Sequence, residues 1–202
     1  MKKQLALAEA RQKMIILGLL VLIIIIGVII YLWQRPIRQA HQQISNYSSY
    51  KFSDQEISKV KKNEKDFIYY YAADGKRYVF PDLSVFKSWF GDYAVDKLAF
   101  EDVATMSKSP LGGNVTLRPG TLLQSPTLLD TFIVIKNGKI SPVSDEKLLK
   151  EFYGTDWQNL VVKLPDYYFS QYVIGKAIKS VSDLPQITAQ VTIDQDKDLI
   201  KK

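Results

Sequence analysis

The sequence has no cysteine and a single histidine among its 202 residues. Without cysteine there is no disulfide framework and no thiol chemistry, so a folded part must hold together by packing alone. The histidine, His41, has no second histidine to work with. Ser-His-Asp triads in the folded part and ordinary zinc sites are therefore excluded. A phosphate-cradling loop is missing too: "PLGGNV" at residues 110–115 is not followed by Lys-Ser/Thr. Ser84-Val85-Phe86-Lys87 matches the Ser-x-x-Lys of penicillin-binding enzymes. Its Ser-Asp-Asn and Lys-Thr-Gly companions are absent, and about 110 residues is too short for that fold. "DQDKD" near the C-terminus alternates acids as a calcium loop does, but lacks the glycine and closing glutamate. Asp74, Asp82, Asp92 and Asp96 fall at turn and cap positions rather than as a pair across a sugar cleft. The expectation is a protein that is not an enzyme, with no catalytic residue, no cofactor and no metal site.

What the sequence has in excess is one hydrophobic run. Residues 14–34, "MIILGLLVLIIIIGVIIYLWQ", carry no charge. A helix of about 20 residues rises roughly 30 Å, the hydrocarbon thickness of a bilayer. The run is longer than a signal-peptide core of about 7–15 residues, and Gln34-Arg35-Pro36 rather than a small-x-small cleavage site follows it. A transmembrane anchor is expected. Lys2, Lys3, Arg11 and Lys13 precede it against Glu9 alone, and after Arg35 and Arg38 no charge occurs until Lys51. The positive-inside rule then puts the N-terminus in the cytoplasm, with Tyr31 and Trp33 at the far interface.

The net charge of +6 suggests nucleic acid until it is divided along the chain. Residues 1–66 hold 11 basic against 5 acidic side chains, residues 67–180 hold 13 against 12, and residues 181–202 hold 3 against 4. The excess lies near the membrane, and a charge-driven nucleic-acid binder needs it on the domain. No nucleic-acid partner is expected. The bilayer is one, and Lys59, Lys61, Lys62 and Lys65 lie where they can face headgroups or wall polymers.

The domain reading is a cytoplasmic stub (1–13), a transmembrane helix (14–34), a polar stalk (35–66), two units (67–123 and 124–180) and a polar C-terminal tail (181–202). Residues 67–71 are aromatic and β-branched, Gly75 sits in a turn, and residues 77–80 form a return strand closed by Pro81. Asp82 or Ser84 is placed to cap a helix whose Val85, Phe86, Trp89 and Phe90 share one face, and Gly91 stops it. The pattern then restarts: a strand, a turn, a strand, the hairpin signal Asn137-Gly138, a strand, and a helix with Ser144 as N-cap and Gly154 as stop. At a constant offset of 63 positions Gly75 meets Gly138, Lys76 meets Lys139, Asp82 meets Asp145, Trp89-Phe90-Gly91 meets Phe152-Tyr153-Gly154, and Leu111-Gly112 meets Ile174-Gly175. This reads as a two-copy repeat.

"DGKRYVFPDLSVFKSWFG" and "NGKISPVSDEKLLKEFYGTDWQNLVVKLPDYYFSQYVIG" both resemble a module of secreted and surface-anchored bacterial proteins. That module has a strand, Asn/Asp-Gly-Lys-Arg, a proline segment, a helix ending Phe-x-x-aromatic-Gly, a Trp, and an Asp-led short helix ending in Gly. The linking "LGGNVTLRPGTLLQSPTL" resembles its inter-copy strand. The resemblance covers residues 67–178 and implies a non-catalytic surface module of no settled activity. The second copy departs from it, with Ile140-Ser141 in place of Arg77-Tyr78.

The expected fold is therefore α+β: one N-terminal transmembrane helix and an external domain of two tandem hairpin-helix units, each helix packed on the other unit's sheet in a shared core. The expected function is a membrane-anchored, extracytoplasmic binding or scaffold protein of the bacterial envelope, with an envelope protein or cell-wall glycan as partner. The alternatives are an accessory subunit of a secretion, pilus or wall-synthesis complex, acting through its span and stalk, and a small wall hydrolase. Arg77, Tyr78, Trp89, Tyr93 and Trp157 are the expected contact residues, because aromatic faces suit sugar rings and protein partners.

Overall fold

The computed structural model describes residues 2–49, 54–128, 130–184 and 191–196, and in the first helix the side chains of residues 12–35. That helix, α1 (Lys2–Ser49), runs without a break through the stub, the apolar run and Pro36. Its segment Gln12–Arg35 is long and apolar enough to cross a membrane, and none of it is buried in the protein.

The remainder is α+β with two five-stranded sheets. After α2 (Asp54–Ile57), the first sheet is built from β1 (Val60–Lys62), β2 (Ile68–Tyr71), β3 (Arg77–Phe80), β4 (Ala99–Phe100) and β5 (Leu111–Asn114). Helix α3 (Leu83–Phe90) follows β3, and the short α4 (Val103–Met106) follows β4. The second sheet contains β6 (Leu122–Gln124), β7 (Thr131–Ile135), β8 (Lys139–Val143), β9 (Val161–Lys163) and β10 (Val173–Ile174). Helix α5 (Glu146–Tyr153) follows β8, α6 (Asp166–Phe169) follows β9, and α7 (Ile193–Asp196) comes last. The strand orders are β4-β1-β2-β3-β5 and β10-β8-β7-β6-β9.

The local chemistry explains the turns. Between β7 and β8, Asn137 and Gly138 take φ of 75° and 58°. Two consecutive left-handed residues make the tight hairpin turn whose twist matches the strands, which is why Asn-Gly sits there. Gly75 lies in the turn between β2 and β3. Gly91 and Gly154 close α3 and α5, donating to the carbonyls of Lys87 and Lys150 at 2.8 and 2.9 Å. The Asp82 carboxylate accepts from the Ser84 amide at 2.7 Å and caps α3. Asp145 does the same for α5 through the Lys147 amide at 2.8 Å. The expected cap, Ser144, is thus one residue too early. The carboxylate, which also suits a helix N-terminus electrostatically, takes the position.

Two further expectations are corrected. The polar stalk does not extend to residue 66. Val60 and Ile57 are buried, and β1 pairs antiparallel with β2, Val60 facing Tyr70. Asn63 then shapes the β1–β2 turn, its side chain accepting from the Lys65 and Phe67 amides at 3.0 Å each. Nor is residues 181–202 a solvated tail throughout, because Val191 and Ile193 lie in the core.

Packing is layered. Val60, Ile68, Tyr70, Tyr78 and Phe80 form the buried face of the first sheet, and Val85, Phe86, Trp89 and Phe90 of α3 join it. The Phe80 ring meets those of Phe86 and Phe90 edge-on, with centroids 5.4 and 6.2 Å apart, the arrangement that aromatic quadrupoles favour. The same cluster takes in Leu123, Phe132, Val134 and Ile140 of the second sheet, so one core is shared. A second cluster unites Leu122, Ile133 and Val143 with Leu148, Leu149 and Phe152 of α5, and with Trp157 and Ile178. Helix α5 packs within the cluster of its own hairpin's sheet, beside β8, whereas α3, beside β3, also shares its cluster with the second sheet. The short β8–α5 connection leaves the helix no length to reach elsewhere.

Candidate functional site

The residues expected to touch a partner are mostly structural. Tyr78 is 5 % exposed, and its hydroxyl donates to Asp74 at 2.8 Å. Trp89 is 2 % exposed and donates its indole N–H to the Thr116 carbonyl at 2.7 Å. Trp157 is 7 % exposed, within the α5 core. Arg77 is half-buried. Its guanidinium donates to the carbonyls of Met106 and Ser109 at the end of α4, and it lies 5.4 Å from the centre of the Tyr69 ring. The Tyr93 side chain lies outside the described residues. Tyr78, Trp89 and Arg77 are held by hydrogen bonds, whereas Trp157 is held by apolar packing alone, its indole N–H making no hydrogen bond among the described residues.

The acidic segment that resembles a failed calcium loop turns out to be a clip. Asp194 accepts from the Tyr70 hydroxyl at 2.7 Å and the Ala73 amide at 2.8 Å, and pairs with Lys59 at 3.4 Å. Asp196 accepts from the Asn137 amide at 2.7 Å and the Thr116 hydroxyl at 3.3 Å. The two carboxylates two residues apart thus hold both hairpin turns. Burial and the bond to Asp194 push the Tyr70 hydroxyl far above its ordinary pKa. Asp196 is 2 % exposed, and desolvation pushes its carboxyl up to about 6, against the opposing pull of its two donors and Lys136. Nothing in "TIDQD" signals this. Only its apolar neighbours Val191 and Ile193 hint that the stretch is pinned down.

Beside the second sheet an open cleft of about 360 Å³ is lined by Ile135, Lys139, Ser141, Gly175, Lys176 and Asp183. Its size falls within the range of ligand pockets. Ser141 is 9 % exposed, and its hydroxyl makes no hydrogen bond among the described residues. Lys139 and Lys176 make no ion pair among the described residues. The Asp183 carboxylate is already occupied. It accepts from the Ser180 hydroxyl at 2.8 Å and the Lys179 amide at 3.1 Å, and these bonds lower its pKa. The cleft lies next to β10, an edge strand with exposed Val173 and Ile174 side chains. The arrangement suits an anionic group reaching two uncommitted ammonium groups with a hydroxyl behind them. Sequence reading missed it because it depends on a small residue rather than a conspicuous one. Among the described residues no three of His, Cys, Asp and Glu gather as metal ligands would.

No protein-family model, curated protein or solved structure matches the chain. The functional reading rests on the chain's own residues.

Proposed function

We propose that this chain is a membrane-anchored, non-catalytic binding or scaffold protein of the bacterial cell envelope, with its N-terminus in the cytoplasm and its folded domain on the outer side. The observation that carries this reading is the uncharged, bilayer-length segment within α1, flanked by basic residues on its N-terminal side and followed by a folded domain with an open, cationic cleft. The non-catalytic part is supported by the duties of the carboxylates. Asp82, Asp102 and Asp145 cap helices, Asp74 orders a hairpin turn, and Asp194 and Asp196 fasten the C-terminal segment.

The domain is two copies of one unit. In its support, each sheet has two antiparallel pairings followed by a parallel strand at each edge. Helices Leu83–Phe90 and Glu146–Tyr153, and again Val103–Met106 and Asp166–Phe169, are offset by the same 63 positions as the sequence matches.

The test is to replace the segment Gln12–Arg35 by an unrelated apolar span and capture envelope components on the full chain. A binding domain retains its envelope protein or wall glycan after the exchange. Loss of capture would instead assign the interaction to the span, as for an accessory subunit of a membrane complex.

A further inference from the structure

Among the matched positions at which the two halves differ, Tyr78 and Ser141 are the pair that bears on the cleft. In the first half the Tyr78 ring lies flat against Gly112, so closely that a Cβ there would be 2.5 Å from the ring's Cζ. In the second half Ser141 stands where Tyr78 would be, at the offset of 63, and Gly175 stands where Gly112 would be. The two remain neighbours, a Cβ on Gly175 falling 3.2 Å from the Ser141 hydroxyl oxygen. Gly175 has no positive φ to demand a glycine. The floor that carries a ring in one half is thus kept bare in the other, and the space above it is the open cleft.

We propose that this cleft binds the aromatic side chain of a partner protein's peptide, in the place that Tyr78 fills in the first half, with carboxylates next to that residue held by Lys139 and Lys176. The aromatic choice follows from the flat glycine floor, the apolar wall of Ile135 and the Ser141 hydroxyl. The acidic neighbours follow from charge. Both lysines lack ion pairs among the described residues, while Asp183 is committed to Lys179 and Ser180. The edge of β10, which pairs with no further strand among the described residues, lies alongside for an extended peptide. The inference rests on the reading of the halves as copies and of the domain as a binding domain.

The test uses the full chain in lipid nanodiscs, isotope-labelled at isoleucine methyls so that Ile135 reports from within the cleft. The probe is acetyl-Glu-Tyr-Glu-amide, compared with acetyl-Glu-Ala-Glu-amide and acetyl-Lys-Tyr-Lys-amide. The Ile135 methyl is expected to shift saturably with the first peptide. Loss of the ring should weaken binding roughly tenfold or more, since burying an aromatic side chain is worth about 1.5–3 kcal/mol and each 1.4 kcal/mol is tenfold. Ser141→Tyr refills the space and should abolish the shift while the other isoleucine methyls stay in place. Lys139→Glu with Lys176→Glu, both on the surface, should invert the preference toward the lysine peptide. Equal binding of the alanine peptide, an unaltered shift in Ser141→Tyr, unchanged charge preference, or no shift with any peptide overturns the proposal. Envelope capture that survives Ser141→Tyr in the absence of peptide binding removes the cleft and leaves the proposed function standing. Peptide binding without envelope capture does the reverse.

Discussion

Replacing Asp196 by asparagine perturbs the C-terminal clip at its most deeply buried point. The folded carboxyl titrates near 6 and the unfolded one near 3.8. Between those values the folded state holds a proton that the unfolded state has released. Stability therefore falls as pH rises from about 4 to about 6. Below that window the contribution is complete, and above it both states are ionised and the loss is constant. Two pKa units correspond to about 3 kcal/mol. Asparagine keeps an oxygen for the Asn137 amide, sets its NH2 against the Thr116 hydroxyl, which must then accept, and cannot ionise; the exchange shifts stability by an amount independent of pH. The stability difference, wild type minus Asp196→Asn, should thus decline by about 3 kcal/mol from pH 4 to pH 7, whatever its absolute value. Urea unfolding of the full chain in micelles measures this, with the buried Trp89 and Trp157 as fluorescence reporters and Trp33 replaced by phenylalanine. A difference that is flat across this range, or that grows with pH, refutes the buried clip.

Gly112→Ala should destabilise the first hairpin by about 1–3 kcal/mol, because the Tyr78 ring is held by Asp74 and by the core and cannot retreat; Gly175→Ala, facing only the Ser141 hydroxyl, should cost less, and thermal midpoints of the two compare them. Asp145→Ala should cost about 1 kcal/mol through loss of the α5 cap, whereas Ser144→Ala should be near neutral; equal effects in denaturant titrations would put the cap back at Ser144.

Much of the local structure was legible. The aromatic run before Gly75, the Asn-Gly pair and the glycine-stopped amphipathic helices Leu83–Phe90 and Glu146–Tyr153 each carry a mechanism that tertiary context does not override. The strand at Val60–Lys62 was hidden. It has one apolar residue followed by two lysines, and only its pairing with β2 makes it a strand. The clip was hidden for the opposite reason. Asp194 and Asp196 look solvated in sequence, and the donors they accept from, the Tyr70 hydroxyl and the Asn137 amide, lie more than 50 positions away. The contact residues were misplaced because aromatic content does not distinguish a core from a surface: Tyr78, Trp89 and Trp157 are inside. The cleft was invisible because it is made by the smallness of Ser141 and Gly175, which no motif records.

The absence of cysteine makes the placement of the domain directly measurable. Single cysteines introduced as Gln4→Cys and Lys108→Cys, the latter on the exposed α4–β5 turn, can be probed in intact cells with a membrane-impermeant maleimide. An extracytoplasmic domain predicts labelling of Lys108→Cys from outside, and of Gln4→Cys only after permeabilisation. Labelling of Gln4→Cys alone in intact cells would contradict it.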